Sequence, residues 1–120
     1  MTAAIVISWG ATIPGREAAA SSLLGRTVEY YQQLEKNKKI ASFSMYLFEC
    51  PTRSGDLGFA VLQGTEDQLD VLRKDNEFRA NGFRLSSITA DVSFARAETG
   101  QAMLHRAQQI QAVRKELGFA

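Results

Sequence analysis

The sequence predicts an α+β domain with the element order strand, helix, strand, strand, helix, strand, closed by one further helix. Three observations predict it. Apolar residues alternate with a period of two in four short stretches, as strands require. Between and after these stretches, apolar residues recur every three or four positions, the helical spacing. Turn formers such as Pro14-Gly15, Pro51 to Asp56 and Thr99-Gly100 separate the stretches. The 120 residues suffice for one domain with one core, and no linker, low-complexity tract or short-period repeat divides them.

The first strand is read from Ala4 to Gly10, with Ile5, Ile7 and Trp9 on one face and Ala4, Val6 and Ser8 on the other. After Pro14-Gly15 a helix is expected from about Arg16 to Asn37, with Ala20, Leu24, Val28, Tyr31 and Leu34 as its apolar stripe. Gly25 interrupts this stripe at a cost of about 1 kcal/mol relative to alanine, which a close packing contact would explain. Ile40 to Phe48 forms the second strand and Leu57 to Gln63 the third. The turn-rich Pro51 to Asp56 makes a hairpin of the two. Thr65, followed three residues later by Gln68, is a capping box that starts the second helix. Leu69, Leu72 and Phe78 are its core residues, and Asn81-Gly82 is expected to end the helical region. Ile88, Ala90, Val92 and Phe94 alternate with Thr89, Asp91 and Ser93 as a fourth strand. The last helix carries Met103, Ala107, Ile110, Val113 and Leu117 as its stripe.

Two strands flanking a helix, arranged twice, give the ferredoxin-like split βαβ architecture, a four-stranded antiparallel sheet with helices on one face. The uncovered face of such a sheet is ordinarily polar. Here it is not. Tyr46 and Phe48 lie opposite Phe43, Met45 and Leu47, and Leu57, Phe59 and Val61 lie opposite Gly58, Ala60 and Leu62. Large exposed apolar patches are rare on monomers, so a cover is expected. A second copy of the chain, packed through the sheet face as a homodimer, is the economical one. The C-terminal helix, folded across its own sheet, is the rival.

The Pro14-Gly15-Arg16-Glu17 helix start, the Gly55-Asp56-Leu57-Gly58-Phe59 hairpin and the terminal helix resemble a group of short bacterial proteins of unknown function. By topology nearly the whole chain is similar to the dimeric α/β-barrel superfamily. That resemblance implies a face-to-face dimer. It also implies a range of activities, since the superfamily includes cofactor-free monooxygenases, haem-binding enzymes, isomerases and dehydratases as well as proteins with no known activity.

Composition excludes more than it selects. A net charge of +1 sets up no field for nucleic acid or anionic lipid. Lys36, Lys38 and Lys39 read as a solvated helix end at the negative pole of the dipole. The single cysteine, Cys50, permits no internal disulfide and has no histidine or basic neighbour to activate it. The run from Ala3 to Trp9 lacks a basic flank and is too short for a signal peptide or a membrane span, so a soluble cytoplasmic protein is expected. Glycine-rich phosphate loops, nucleophile elbows and zinc spacings are missing, and no resident cofactor or metal is expected.

The candidate site residues are therefore individual. Asp91, in the expected fourth strand, breaks an apolar pattern beside Thr89 and Ser93, where it would serve as a general base. His105 is the only histidine and the natural acid, base or ligand near neutral pH. A terminal helix roofing a cavity would let it act as a proximal haem ligand, as the haem-binding superfamily members imply. An exposed histidine is the plainer reading. Trp9 and Tyr46 offer a stacking wall and a hydroxyl for a small organic ligand, or anchors in a core or interface. Arg16 at a helix start and Arg84 beside Asn81-Gly82, together with Arg79, are candidates to receive an anion or simply to solvate. Two functions remain open: a homodimeric small-molecule-binding protein, with cofactor-independent oxygenation or isomerisation as its chemistry, and a non-catalytic dimeric interaction module.

Overall fold

In a computed structural model, which describes residues 2–119, the chain forms four strands and four helices. In order they are β1 (Thr2–Trp9), α1 (Glu17–Lys36), β2 (Ser42–Leu47), β3 (Gly58–Thr65), α2 (Glu66–Lys74), α3 (Asn76–Ile88), β4 (Ser93–Glu98) and α4 (Gly100–Glu116). The strands make one antiparallel sheet in the order β2-β3-β1-β4, the ferredoxin-like arrangement that the element order predicts.

The register fixes the faces. Ile5 pairs with Leu62 and Ile7 with Ala60 across β1 and β3, and Phe43 and Met45 continue the same rows on β2. This face carries the core, in which Ile7, Ile40, Leu62 and Leu69 are fully buried. The opposite face is left open. It presents Val6, Phe59 and Val61, together with Tyr46 at 52% and Phe48 at 40% exposure. Tyr46 stacks on Phe59 at 4.9 Å and Phe48 lies 5.5 Å from the same ring, so this face is a built aromatic patch. The helix α4 meets β1 but leaves Tyr46 and Phe48 exposed. Only Ala102 of α4 is buried, while Met103, Leu104, Ile110 and Val113 remain about half exposed.

The core stripe of α1 is Leu23, Thr27, Tyr31 and Leu34, turned slightly from the expected one, and Leu24 lies at its margin. Gly25 has no packing reason, since a Cβ built there meets nothing within 4 Å. The capping box of α2 forms as expected, with Gln68 N donating to Thr65 Oγ1 at 3.1 Å and Thr65 N donating to Gln68 Oε1 at 2.9 Å.

Two expectations are corrected. Asn81-Gly82 does not end the helical region. The interruption comes earlier, at Asp75, whose extended backbone separates α2 from α3 and whose Oδ1 accepts a hydrogen bond from Phe78 N at 3.0 Å. The helix α3 then continues through Asn81-Gly82 to Ile88. The fourth strand accordingly begins at Ser93 rather than Ile88. Ile88 follows Phe78, Asn81 and Leu85 at helical spacing, and this tertiary stripe outweighs the period-two alternation. Asp91 is therefore not mid-strand. It occupies the turn between α3 and β4, exposed, with φ +53°.

Candidate functional site

Trp9 ends β1 with its indole on the helix-covered face, over Gly58 of β3, its cross-strand partner. A Cβ on residue 58 would lie 2.7 Å from Trp9 Cζ2 and 2.6 Å from the Tyr46 carbonyl oxygen, so the glycine makes the room that the ring occupies. Beyond Trp9 the chain is pinned on both sides. Leu57 N donates to Trp9 O at 2.8 Å, and Gly10 N donates to Ala90 O at 2.7 Å. A Cβ at Gly10 would approach Ala90 O to 2.9 Å, so the close passage of the α3–β4 turn also depends on a glycine.

This arrangement leaves a cavity of about 200 Å3 beneath Trp9, between the sheet, α1 and α3. Tyr31, Leu23 and Leu24 wall it from α1, and Leu85 and Ile88 from α3. Its hydroxyl-bearing lining residues, besides Tyr31, are Thr12, Ser21, Thr27 and Thr89. Two of these are already oriented. Thr89 Oγ1 donates to Leu85 O at 2.9 Å, and Thr27 Oγ1 accepts from Asn81 Nδ2 at 3.3 Å. Tyr31 is the one ionisable residue in the lining among the described residues, and burial, followed by the neighbouring Tyr30, pushes its phenol well above the usual tyrosine range. The hydroxyl of Tyr30 is buried and meets no hydrogen-bond partner at bonding geometry among the described residues. Burial raises this phenol too, with the negative charges of Asp75 and Glu77 adding to the effect.

The residues picked from sequence do not converge. Trp9 lines the cavity, but Tyr46 is on the other face of the sheet, so the two cannot frame one pocket. Asp91 lies two residues beyond the lining residue Thr89, at the Gly10 end. Arg16 closes the same end of α1 onto α3, its guanidinium donating to Ser87 O. Arg84 is bound at 3.0 Å to Glu77 on its own helix. His105 is exposed on α4, beside the Glu98–Arg106 ion pair, and no residue of α4 lines the cavity among the described residues. Among the described residues no group of three or more His, Cys, Asp or Glu is placed to hold a metal ion. Thr27 and Asn81 are the buried polar residues of this region that sequence reasoning passed over. The single available signal was a threonine at a core position of an otherwise apolar helical stripe.

No protein-family model matches the sequence, and no curated protein sequence matches it. Solved structures do match in shape. One is a dimeric protein of unknown function and ferredoxin-like fold from Bacteroides fragilis, at a TM-score of 0.63 and 11% identity, covering 82% of this chain and 96% of that one. A dimeric ferredoxin-like protein of unknown function from Jannaschia also superimposes with a TM-score of 0.63, at 8% identity, over 82% of this chain and all of the other. This chain carries the ferredoxin-like fold. The same fold is shared with SnoaB, a cofactor-independent oxygenase from Streptomyces nogalater, at a TM-score of 0.58 and 13% identity, covering 83% of this chain and 94% of SnoaB. Identities this low speak for architecture and leave the chemistry to the residues.

Proposed function

We propose that this chain is a homodimeric protein that encloses a small, largely apolar organic molecule in the cavity beneath Trp9. The observation that carries the proposal is the cavity itself. It is a hollow between helix layer and sheet, walled by an indole, a phenol and aliphatic side chains, with a few hydroxyls at fixed positions. Such a lining suits a compact aromatic or alicyclic ligand bearing one or two hydrogen-bonding groups. The reaction class that we infer is cofactor-independent oxygenation or isomerisation, supported by the architecture shared with SnoaB. Asp91 and Arg16, at the Gly10 end, are the charged groups that we assign to the rim, and Tyr46 is assigned to the dimer interface.

A specific observation favours the second reading, a binding module without catalysis. The lining holds no carboxylate or imidazole among the described residues, so a general base must come from the rim or from the ligand.

Trp9 is the sole tryptophan and reports on its own cavity. A panel of small phenols and quinones, followed by tryptophan fluorescence and thermal shift, is expected to give saturable changes together with a raised melting temperature. Ala20→Phe, which fills the lining from α1, should abolish both responses while the fold persists. Oxygen uptake with a bound phenol separates the oxygenase from the binding module. A fluorescence response that survives Ala20→Phe would remove the assignment to this cavity.

A further inference from the structure

On the other side of α3 a larger hollow, of about 360 Å3, opens between α2, α3 and the edge strand β4. It shares no lining residue with the cavity beneath Trp9. Its apolar part is aromatic. Phe78 and Phe94 meet edge to face at 6.0 Å, and Phe83 stands at the rim with 68% of its surface exposed. Gly82 is needed beneath them. A Cβ there would lie 2.9 Å from Phe94 Cζ, so a side chain at this position would drive the ring out of its place against α3.

Its polar part is cationic. Arg73 closes α2, Arg79 belongs to the first turn of α3 and Arg96 projects from β4; Ser86 is the uncharged polar member, and among the described residues no acidic one lines the hollow. Arg96 is committed: it reaches Asp70 Oδ1 at 2.9 Å and Glu66 O at 3.3 Å. Arg73 and Arg79 make no side-chain hydrogen bond or ion pair among the described residues. Two guanidinium groups without a side-chain partner among the described residues therefore flank an aromatic floor in which Phe83 and Phe94 are exposed and Phe78 is buried.

We propose that this hollow binds a planar aromatic carboxylate, its ring against Phe94, Phe78 and Phe83 and its carboxylate on Arg73 and Arg79. Charge complementarity selects the anion, and the planar fork of guanidinium matches a carboxylate. The aromatic floor selects the body, since a purely inorganic anion would leave those rings exposed. The volume, at the lower end of the range for ligand pockets, limits that body to one or two rings. The site stands independently of the function proposed for the Trp9 cavity.

The test titrates 2-naphthoate into the full chain and follows backbone amide resonances. Saturable shifts are expected at Gly82, Phe94 and Ala95, with Thr27 and Thr89 unmoved. Neutral 2-naphthamide should bind about tenfold more weakly or worse, as the loss of a charge-assisted contact requires. Arg79→Gln and Arg73→Gln should each weaken 2-naphthoate by a comparable factor. Both residues are exposed, so the thermal midpoint of each variant should stay near that of the parent. Phe94→Ala should weaken the acid and the amide alike. The proposal is overturned by the absence of saturation at millimolar 2-naphthoate, by equal affinity for the amide, by indifference to both arginine substitutions, or by shifts that map to the Trp9 cavity instead.

Discussion

Thr27 and Asn81 meet in the interior from α1 and α3, 54 residues apart in sequence. Both are nearly inaccessible, at 5% and 6% exposure, and each is the other's side-chain partner. Asn81→Ala leaves the Thr27 hydroxyl buried and unpaired, and should cost about 1–3 kcal/mol in urea unfolding. The double variant Thr27→Val/Asn81→Leu removes both partners and should recover much of that loss; additive losses would mean that the pair is not coupled. Neither residue was legible as a partner in the sequence. Thr27 interrupts an apolar stripe, and Asn81-Gly82 has the composition of a turn. Only the third dimension, where Gly82 lies under the Phe94 ring and Asn81 reaches α1, explains why this dipeptide sits inside a helix. Tyr30 and Tyr31 lead to a second expectation at this scale. Both phenols are raised above the ordinary value of 10.0, so the fold retains these protons more tightly than the unfolded chain does. Their contribution to stability is complete below that ordinary value and is lost as pH rises further. Ultraviolet titration should show these two tyrosines ionising late, and Tyr31→Phe should soften the loss of stability at alkaline pH.

Strand β4 and helix α1 show what element boundaries depend on. The alternation from Ile88 to Phe94 has the right period for a strand, yet Ile88 completes the core stripe of α3 and the ladder starts at Ser93. The face that β4 turns toward the helices carries Phe94, Arg96 and Glu98. Two of these are charged, so the strand lacks the apolar alternation that marks β1 to β3. The tie between β4 and α2 is instead the Arg96–Asp70 pair. The hydrogen bond from Arg96, and then its charge, hold the Asp70 carboxyl below its ordinary range. A depressed carboxyl contributes stability that is present above its unfolded value and disappears as pH falls through the folded one. Acid unfolding of Arg96→Gln should therefore show a shallower pH dependence than the parent in the carboxylate range. This exposed pair contributes modestly. Gly25 gives the opposite sign. It is exposed, its Cβ position is empty, and no contact justifies it. Gly25→Ala should stabilise the chain by roughly 0.5–1 kcal/mol, read as a raised denaturation midpoint.

For the whole molecule, the radius of gyration of 16.7 Å exceeds the value of about 13.6 Å that a compact domain of this length would have. The excess belongs with α4, which leaves the sheet after Ala102 and carries Met103, Leu104, Ile110, Val113 and Leu117 largely exposed. Together with the Tyr46–Phe59–Phe48 patch on the open sheet face, this gives the chain an apolar surface of a kind that monomers rarely expose. The two-sided patterning of β1 to β3 made the open face readable from sequence, because period-two alternation assigns each side chain to a face before any contact is known. The position of α4 was not readable, because its stripe fits a cover for its own sheet as well as an arm toward another chain. In the structure α4 meets β1 with Ala102 buried and leaves Tyr46 and Phe48 of the open face exposed. The homodimer proposed above would bury this surface through the sheet face, and that proposal has a direct test in solution. Light scattering at micromolar concentration should give twice the chain mass of 13.2 kDa. Val61→Glu, at the middle of the open face, places a carboxylate where a partner sheet would exclude water, and should shift the protein to a monomer with its helical content intact. A parent chain that is already monomeric at that concentration would refute the interface. If the parent is dimeric and Val61→Glu leaves it so, while Ile110→Glu and Val113→Glu dissociate it, the contact lies along α4 rather than across the sheet.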